Sequence, residues 1–269
     1  MAYFVIIRPT NCVITSIAIL VGAWVGRGLQ FSPPLMLAAI IGCLVCAFGN
    51  VVNDLQDIEI DKINNPKRPL ASGQLDKKNA KIFALFLFII SSLFSISLGV
   101  LPFLLVVGVL ILLFLYALYF KKIIFGNFVV ALIAGLSFIF GGLVTENPWA
   151  IIPFLFSFFI HWPREVIKDI IDIKGDKSVG VVSLPIALGV AKSSNISALC
   201  LAILCIILPL PFVFKVLSLR YILVVLILAY PLVIYAIFRL LKNPDKAGLK
   251  TLSHLLKISM AIGIIAMIL

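Results

Sequence analysis

The sequence predicts an all-α, polytopic membrane protein, with nine transmembrane helices around a central cavity. Three observations carry this. The chain is 63% hydrophobic and only 12% charged over 269 residues, with mean hydropathy +1.23, more apolar surface than a soluble domain of this size needs. Apolar runs of the roughly 20 residues that span a bilayer recur from one end to the other. The basic residues fall in the polar segments between those runs, where the positive-inside rule puts them. The net charge of +11 therefore reads as membrane anchoring, and no nucleic-acid partner is expected. The N-terminal stretch lacks a basic region followed by a small-residue cleavage site, so it does not read as a cleavable signal peptide.

The first span runs near 11–27, is short, and could begin near Phe4. Gly22-x-x-x-Gly26 within it has the spacing that permits close helix packing. The second, near 34–55, has its entry marked by Pro33-Pro34. The third and fourth, near 79–99 and 101–120, are joined only by Gly99 to Pro102, which reads as a tight turn. The fifth and sixth lie near 123–144 and 149–172, with Pro148 at the break. The seventh, eighth and ninth lie near 194–214, 219–241 and 250–269, with Pro244 before the last. Cys12, Cys43, Cys46, Cys200 and Cys205 all sit in apolar stretches and read as small buried residues rather than a disulfide framework.

Eighteen of the 22 basic residues fall in the N-terminal segment and the loops after spans two, four, six and eight. The opposite loops hold Arg27, Lys215 and Arg220, and Lys257 lies in the last span. This asymmetry puts the N-terminus on the cytoplasmic side of a cell membrane and the C-terminus outside.

Against this apolar background, one carboxylate pattern appears twice. Asp54, Asp57 and Asp61 share the spacing D-x-x-D-x-x-x-D with Asp169, Asp172 and Asp176. Both copies end a long apolar run, and they lie four spans apart, so both face the cytoplasm. This suggests a weak internal repeat of about four helices within one domain over 1–269, with a site where the halves meet. At 100° per residue, Asp57, Asp61 and Asn50 fall at about −60°, −20° and −40° from Asp54, within one arc. The second motif repeats the arc, with Glu165 in the place of Asn50. Carboxylates at a membrane boundary are costly unless paired or metal-bound. Aligned carboxylates are also what hard cations such as Mg2+ require, and the glycine and bidentate glutamate of a calcium loop are missing.

Basic residues interleave with both motifs. Lys67 and Arg68 follow the first in a Pro-Lys-Arg-Pro turn. Arg164, Lys168, Lys174 and Lys177 surround the second, and Lys121 and Lys122 end the fourth span on the same side. Aspartates, Mg2+ and cationic side chains together suit a diphosphate, whose leaving-group charge they neutralise. An anionic acceptor would need further cations, for which Arg8, Lys121, Lys122 and Arg164 are candidates. His161 reads as a satisfied helix-interface residue.

These residues resemble the UbiA superfamily of intramembrane prenyltransferases. Its first motif, N-D-x-x-D-x-x-x-D, is matched by Asn53, Asp54, Asp57 and Asp61. The following R-P-L-x-S-G is matched by Arg68, Pro69, Leu70, Ser72 and Gly73. Its second motif, D-x-x-D-x-x-G-D, is matched by Asp169, Asp172, Gly175 and Asp176. The string from Arg164 to Asp176, Arg8-Pro9-Thr-Asn11-Cys12 and Gly126-Asn127 are similar to the branch that makes archaeal ether lipids. Tyr116-Ala-Leu-Tyr119-Phe-Lys121 resembles the Tyr/Lys motif of the fourth span loosely.

The resemblance implies Mg2+-dependent transfer of a geranylgeranyl group from geranylgeranyl diphosphate to the free hydroxyl of geranylgeranylglyceryl phosphate. It implies Asn53, Asp54, Asp57, Asp61, Asp172 and Asp176 as metal ligands, with Asp169 completing the catalytic carboxylates. Asn53, Lys67, Arg68, Lys121, Lys168 and Lys177 would hold the diphosphate. Arg8, Asn11, Asn50, Tyr116, Asn127 and Arg164 would contact substrate. A dry cavity, lined by Phe-rich helices such as 83–94 and 154–159 and open to membrane lipid, would shield the allylic cation from water. Two other readings differ in chemistry. An aromatic prenyltransferase of quinone biosynthesis would differ only in its acceptor pocket. A cation-coupled secondary transporter would bury its carboxylates near the bilayer midplane, whereas here they cluster at helix exits.

Overall fold

The computed structural model describes residues 1–178, 180–242 and 245–269. Eight of the described helices are long and apolar enough to cross a membrane, and Pro9–Trp24 is a shorter apolar one, so nine spans fit the observed elements. Pro244 lies outside the described residues. The helices divide into two compact units. The first comprises 1–23, 30–118 and 137–148; the second comprises 24–29, 119–136 and 149–269.

The first unit starts with α1 (Ala2–Ile6) and α2 (Pro9–Trp24). The expected first span corresponds to α2, and it does not extend back to Phe4 as one helix: Arg8 takes a left-handed φ of 52°, which separates α1 from α2 just before Pro9. Next comes α3 (Pro33–Gln56), with Ser32 as its cap and the two prolines in its first turn, as their missing N–H groups allow. A one-residue break at Asp57 separates α3 from α4 (Ile58–Asn64). Asp76 accepts from the first backbone N–H groups of α5 (Lys77–Ile96), and the predicted tight turn at Gly99 leads to α6 (Val100–Leu118). Helix α3 packs on α5 and α6.

Close backbone approach holds α2 against α7 (Gly126–Val144). A Cβ on Gly22 would lie 2.0 Å from the Phe138 carbonyl oxygen, and one on Gly141 would lie 1.9 Å from the Ile19 carbonyl oxygen. Gly22 therefore does what its spacing predicted, but its counterpart is Gly141. Gly26 lies past the helix end with φ 70°, a conformation that glycine adopts at little cost. Buried Asn147 donates to the Gly22 and Ala23 carbonyls at 3.2 and 3.0 Å, satisfying the C-terminal end of α2.

The second unit is built on α8 (Ile151–Ser178), which carries Pro163 inside it. A short α9 (Leu184–Leu188) leads to α10 (Val190–Ile207), and α11 (Leu210–Val213) follows a break at Leu208-Pro209. The eighth span is α12 (Leu219–Val224), a π-helical segment at Val225–Ala229, and α13 (Tyr230–Leu241), where Pro231 removes a backbone donor. The last helix is α14 (Lys246–Ile268), capped by Asp245. Helix α8 packs on α10 and α14, and α10 packs on α13.

Candidate active site

The first acidic motif straddles the α3–α4 break. Asp57 leaves helical geometry at φ −95° and ψ 6°, yet its N–H donates to Asn53 at 3.1 Å, and Asp61 N–H donates to Asp57 at 2.7 Å. The backbone hydrogen-bond register therefore passes through the break, and Asp54 and Asp61 keep the common face that their spacing predicts, both meeting Arg68. All three carboxylates are buried, at 2%, 8% and 4% exposure for Asp54, Asp57 and Asp61. Asn53 is half-buried beside them.

Buried carboxylates need partners, since each uncompensated charge costs several kcal/mol. Two arginines supply them for Asp54 and Asp61. The turn after α4 folds back through Arg68 N–H to the Asn65 carbonyl, Ser72 N–H to Arg68 and Leu75 N–H to Pro69. Leu70 and Leu75 anchor it by burial, and Gly73 takes φ 76°. This geometry places Arg68 Nη1 2.6 Å from Asp61 Oδ2 and 3.3 Å from Asp54 Oδ1. Arg8 comes from the joint between α1 and α2. Its Nη2 donates to the same Asp54 Oδ1. Asn50, one turn before Asp54, donates to the Ile7 carbonyl at 2.8 Å and so holds the α1–α2 joint that presents Arg8. Asn11 is exposed in the first turn of α2, Tyr116 is half-buried near the end of α6, and Lys67 is exposed.

The second motif ends α8. Asp169 is half-buried and accepts from Asn127 Nδ2 at 2.7 Å, which ties the first turn of α7 to α8. Glu165 accepts from Arg164 at 2.8 Å and from Lys168 at 2.6 Å. Arg164 Nε is buried and has no hydrogen-bond partner among the described residues. Asp172 and Lys177 are exposed. Asp176 is half-buried beyond the membrane-spanning Pro148–Ile173. Burial raises its carboxyl above the usual range. The Asp172 charge adds to this, while the Ser183 hydroxyl and Lys121 work against it. Lys121 sits in the Phe120–Lys122 turn, to which Val182 N–H is tied through the Lys122 carbonyl at 2.9 Å.

Among the described residues, no three acidic, histidine or cysteine side chains converge on one point as a formed metal centre. In the first motif, the arginines hold oxygens of Asp54 and Asp61. The donor set itself fits a hard cation: three buried carboxylates and an amide at helical spacing offer the oxygen ligands that Mg2+ takes. His161 is satisfied as expected, with Nδ1 2.9 Å from the Ser157 carbonyl and 3.1 Å from its hydroxyl. The expected Phe-rich segments pack on other rings. Phe83 meets Tyr3, Phe88 meets Phe48, and Phe158 contacts Phe128, Phe154, Phe159 and Trp162. The sequence alone did not disclose the Arg8–Asp54 pair. Its only local signal is one arginine just before Pro9 in an apolar segment.

The chain is an all-α membrane protein with two aspartate motifs flanked by arginine and lysine, and the family that it matches is one of prenyltransferases. Residues 15–261 match the UbiA prenyltransferase family, and the chain belongs to it. It is 38% identical to digeranylgeranylglyceryl phosphate synthase of Methanocaldococcus jannaschii, over 99% of this chain and 94% of that protein. A solved structure of digeranylgeranylglyceryl phosphate synthase aligns with TM-score 0.88 at 36% identity, covering 99% of this chain and 96% of that one. A UbiA homolog from Archaeoglobus fulgidus, solved bound to GPP and Mg2+, shares the fold with TM-score 0.70 at 20% identity, covering 100% and 99% of the two chains.

Proposed function

We propose that this chain transfers a geranylgeranyl group from geranylgeranyl diphosphate to the free hydroxyl of geranylgeranylglyceryl phosphate, forming an ether lipid and releasing diphosphate. The observation that carries this is the 38% identity to named synthases of that class across 99% of the chain. The arginine-paired, buried carboxylates supply the chemistry that such a reaction needs. The chain would act as one domain in a cell membrane, with both motifs on the cytoplasmic side, as its basic loops favour.

Asn53, Asp54, Asp57 and Asp61, with Asp172 and Asp176, are the residues that would hold Mg2+. Bound Mg2+ supplies positive charge to the departing diphosphate. Lys67, Arg68, Lys121, Lys168 and Lys177 neutralise diphosphate oxygens as the allylic C–O bond breaks. The hydroxyl oxygen of the acceptor forms the new C–O bond and gives up its proton, for which Asp169, oriented by Asn127, is the candidate acceptor. Arg164 carries a buried Nε without a partner among the described residues, a donor whose desolvation costs about 1–3 kcal/mol until it is satisfied. It is therefore our first candidate for the phosphate of the acceptor.

Purified protein with labelled geranylgeranyl diphosphate and Mg2+ should prenylate geranylgeranylglyceryl phosphate in direct competition with 4-hydroxybenzoate. A clear preference for the aromatic acid would replace the acceptor assignment and leave the family untouched.

A further inference from the structure

We propose that Arg8 is a positioning residue that competes with the divalent cation for Asp54, so that diphosphate, by drawing Arg8 away, makes the cation bind more tightly. This rests on the reading that the first motif serves a metal-bound diphosphate, and adds a mechanism for coupling the two ligands.

The argument begins with charge balance. Asp54 and Asp61 are buried, and the two guanidinium groups of Arg8 and Arg68 balance their charges. A cation arriving alone meets two positive groups already on the oxygens that it must take. In a poorly solvated setting that repulsion is weakly screened. An anion that accepts the guanidinium groups removes the repulsion and frees the carboxylate. By linkage, the anion then tightens the cation, and the cation tightens the anion to the same degree.

Arg8 is suited to move, and Arg68 is less so. Arg68 Nη1 bridges two carboxylates from a turn anchored by buried Leu70 and Leu75. The two side chains are about equally exposed, at 31% and 30%, but among the described residues Arg8 has one carboxylate partner, Asp54, where Arg68 has two. Its backbone is fixed while its side chain is long. The left-handed φ of 52° is held by Asn50 and Cys12 on the Ile7 carbonyl, and by Asn11 and Cys12 N–H on the Arg8 carbonyl. A non-glycine residue in that conformation is strained and persists only where its surroundings hold it. The joint thus delivers one guanidinium to one buried oxygen, with the side chain alone free to swing to a phosphate.

The test is direct Mn2+ binding to the purified full chain by electron paramagnetic resonance, with and without inorganic diphosphate. In the wild type, diphosphate should tighten Mn2+ by about 10-fold or more, within the usual range of coupling between sites. Arg8→Gln should tighten Mn2+ in the absence of diphosphate and abolish most of the coupling. Arg8→Lys should restore it. Loss of a merely structural contact would not improve cation affinity. A wild type that binds no Mn2+ even with diphosphate would overturn the metal reading itself. Normal coupling in Arg8→Gln would overturn only the competition. Should that variant not fold, the wild type still decides. Modification of Arg8 by phenylglyoxal, read by peptide mass, should slow when Mg2+ and diphosphate are both present, and an unchanged rate would overturn the proposal.

Discussion

The side-chain amide of Asn127 donates to Asp169 Oδ2 at 2.7 Å, joining the first turn of α7 to the inner end of the second acidic motif. Each residue is half-buried, and the bond fixes which carboxylate oxygen of Asp169 remains available. Asn127→Ala should therefore lower turnover by about 10-fold or more, with a stability loss of only about 1 kcal/mol, the usual net worth of one hydrogen bond. Steady-state rates and thermal unfolding in detergent check this together. An unchanged rate in a folded variant would remove Asp169 orientation from the mechanism.

Charge at the motifs should matter more than packing. Asp57→Asn, Asp61→Asn and Asp172→Asn should each lower turnover by at least about 100-fold, about 2.7 kcal/mol in transition-state stabilisation. Asp172 is exposed, so its variant should unfold at the wild-type temperature. Asp61 is paired with Arg68, so its variant should lose some stability as well. A chelator should mimic all three on the wild type, and Mg2+ should reverse it. Full activity in chelator would end the metal–diphosphate account.

The contact between α2 and α7 is backbone on backbone, because a Cβ on Gly22 would meet the Phe138 carbonyl oxygen at 2.0 Å. No rotamer relieves such an overlap, so the helices must part. Gly22→Ala should destabilise by about 1–3 kcal/mol, the usual range for overpacking. Gly141→Ala should do the same. Gly263→Ala, which meets open space, is the control. Equal melting temperatures for Gly22→Ala and Gly263→Ala would contradict the close approach.

Orientation follows from the basic loops. Cysteines introduced at Asn65 or Lys177 should react only with reagents that enter the cell, because both positions adjoin the lysine- and arginine-rich segments. Labelling of intact cells by an impermeant reagent at either position would invert the topology.

Much of the molecule was legible in the chain because its causes are local or statistical. Span positions follow from windows of apolar residues. The shared face of Asp54 and Asp61, both on Arg68, follows from helical periodicity, because the i→i−4 bonds continue through the break at Asp57. Pro33-Pro34 and Gly99 also stood where their backbone restrictions predict.

The pairings were not legible. Residues 46 positions apart, Arg8 and Asp54, share an ion pair because the α1–α2 joint turns left-handed and Asn50 pins it. Gly22 meets the backbone at Phe138 rather than packing through Gly26 as well, and Asn127 reaches across 42 positions to Asp169. Hydropathy and periodicity state which face a residue occupies and at what depth. They carry no information on which other helix comes to lie against that face. That is decided by the cooperative packing of whole helices and by the need to satisfy each buried charge, and both exist only in the folded chain.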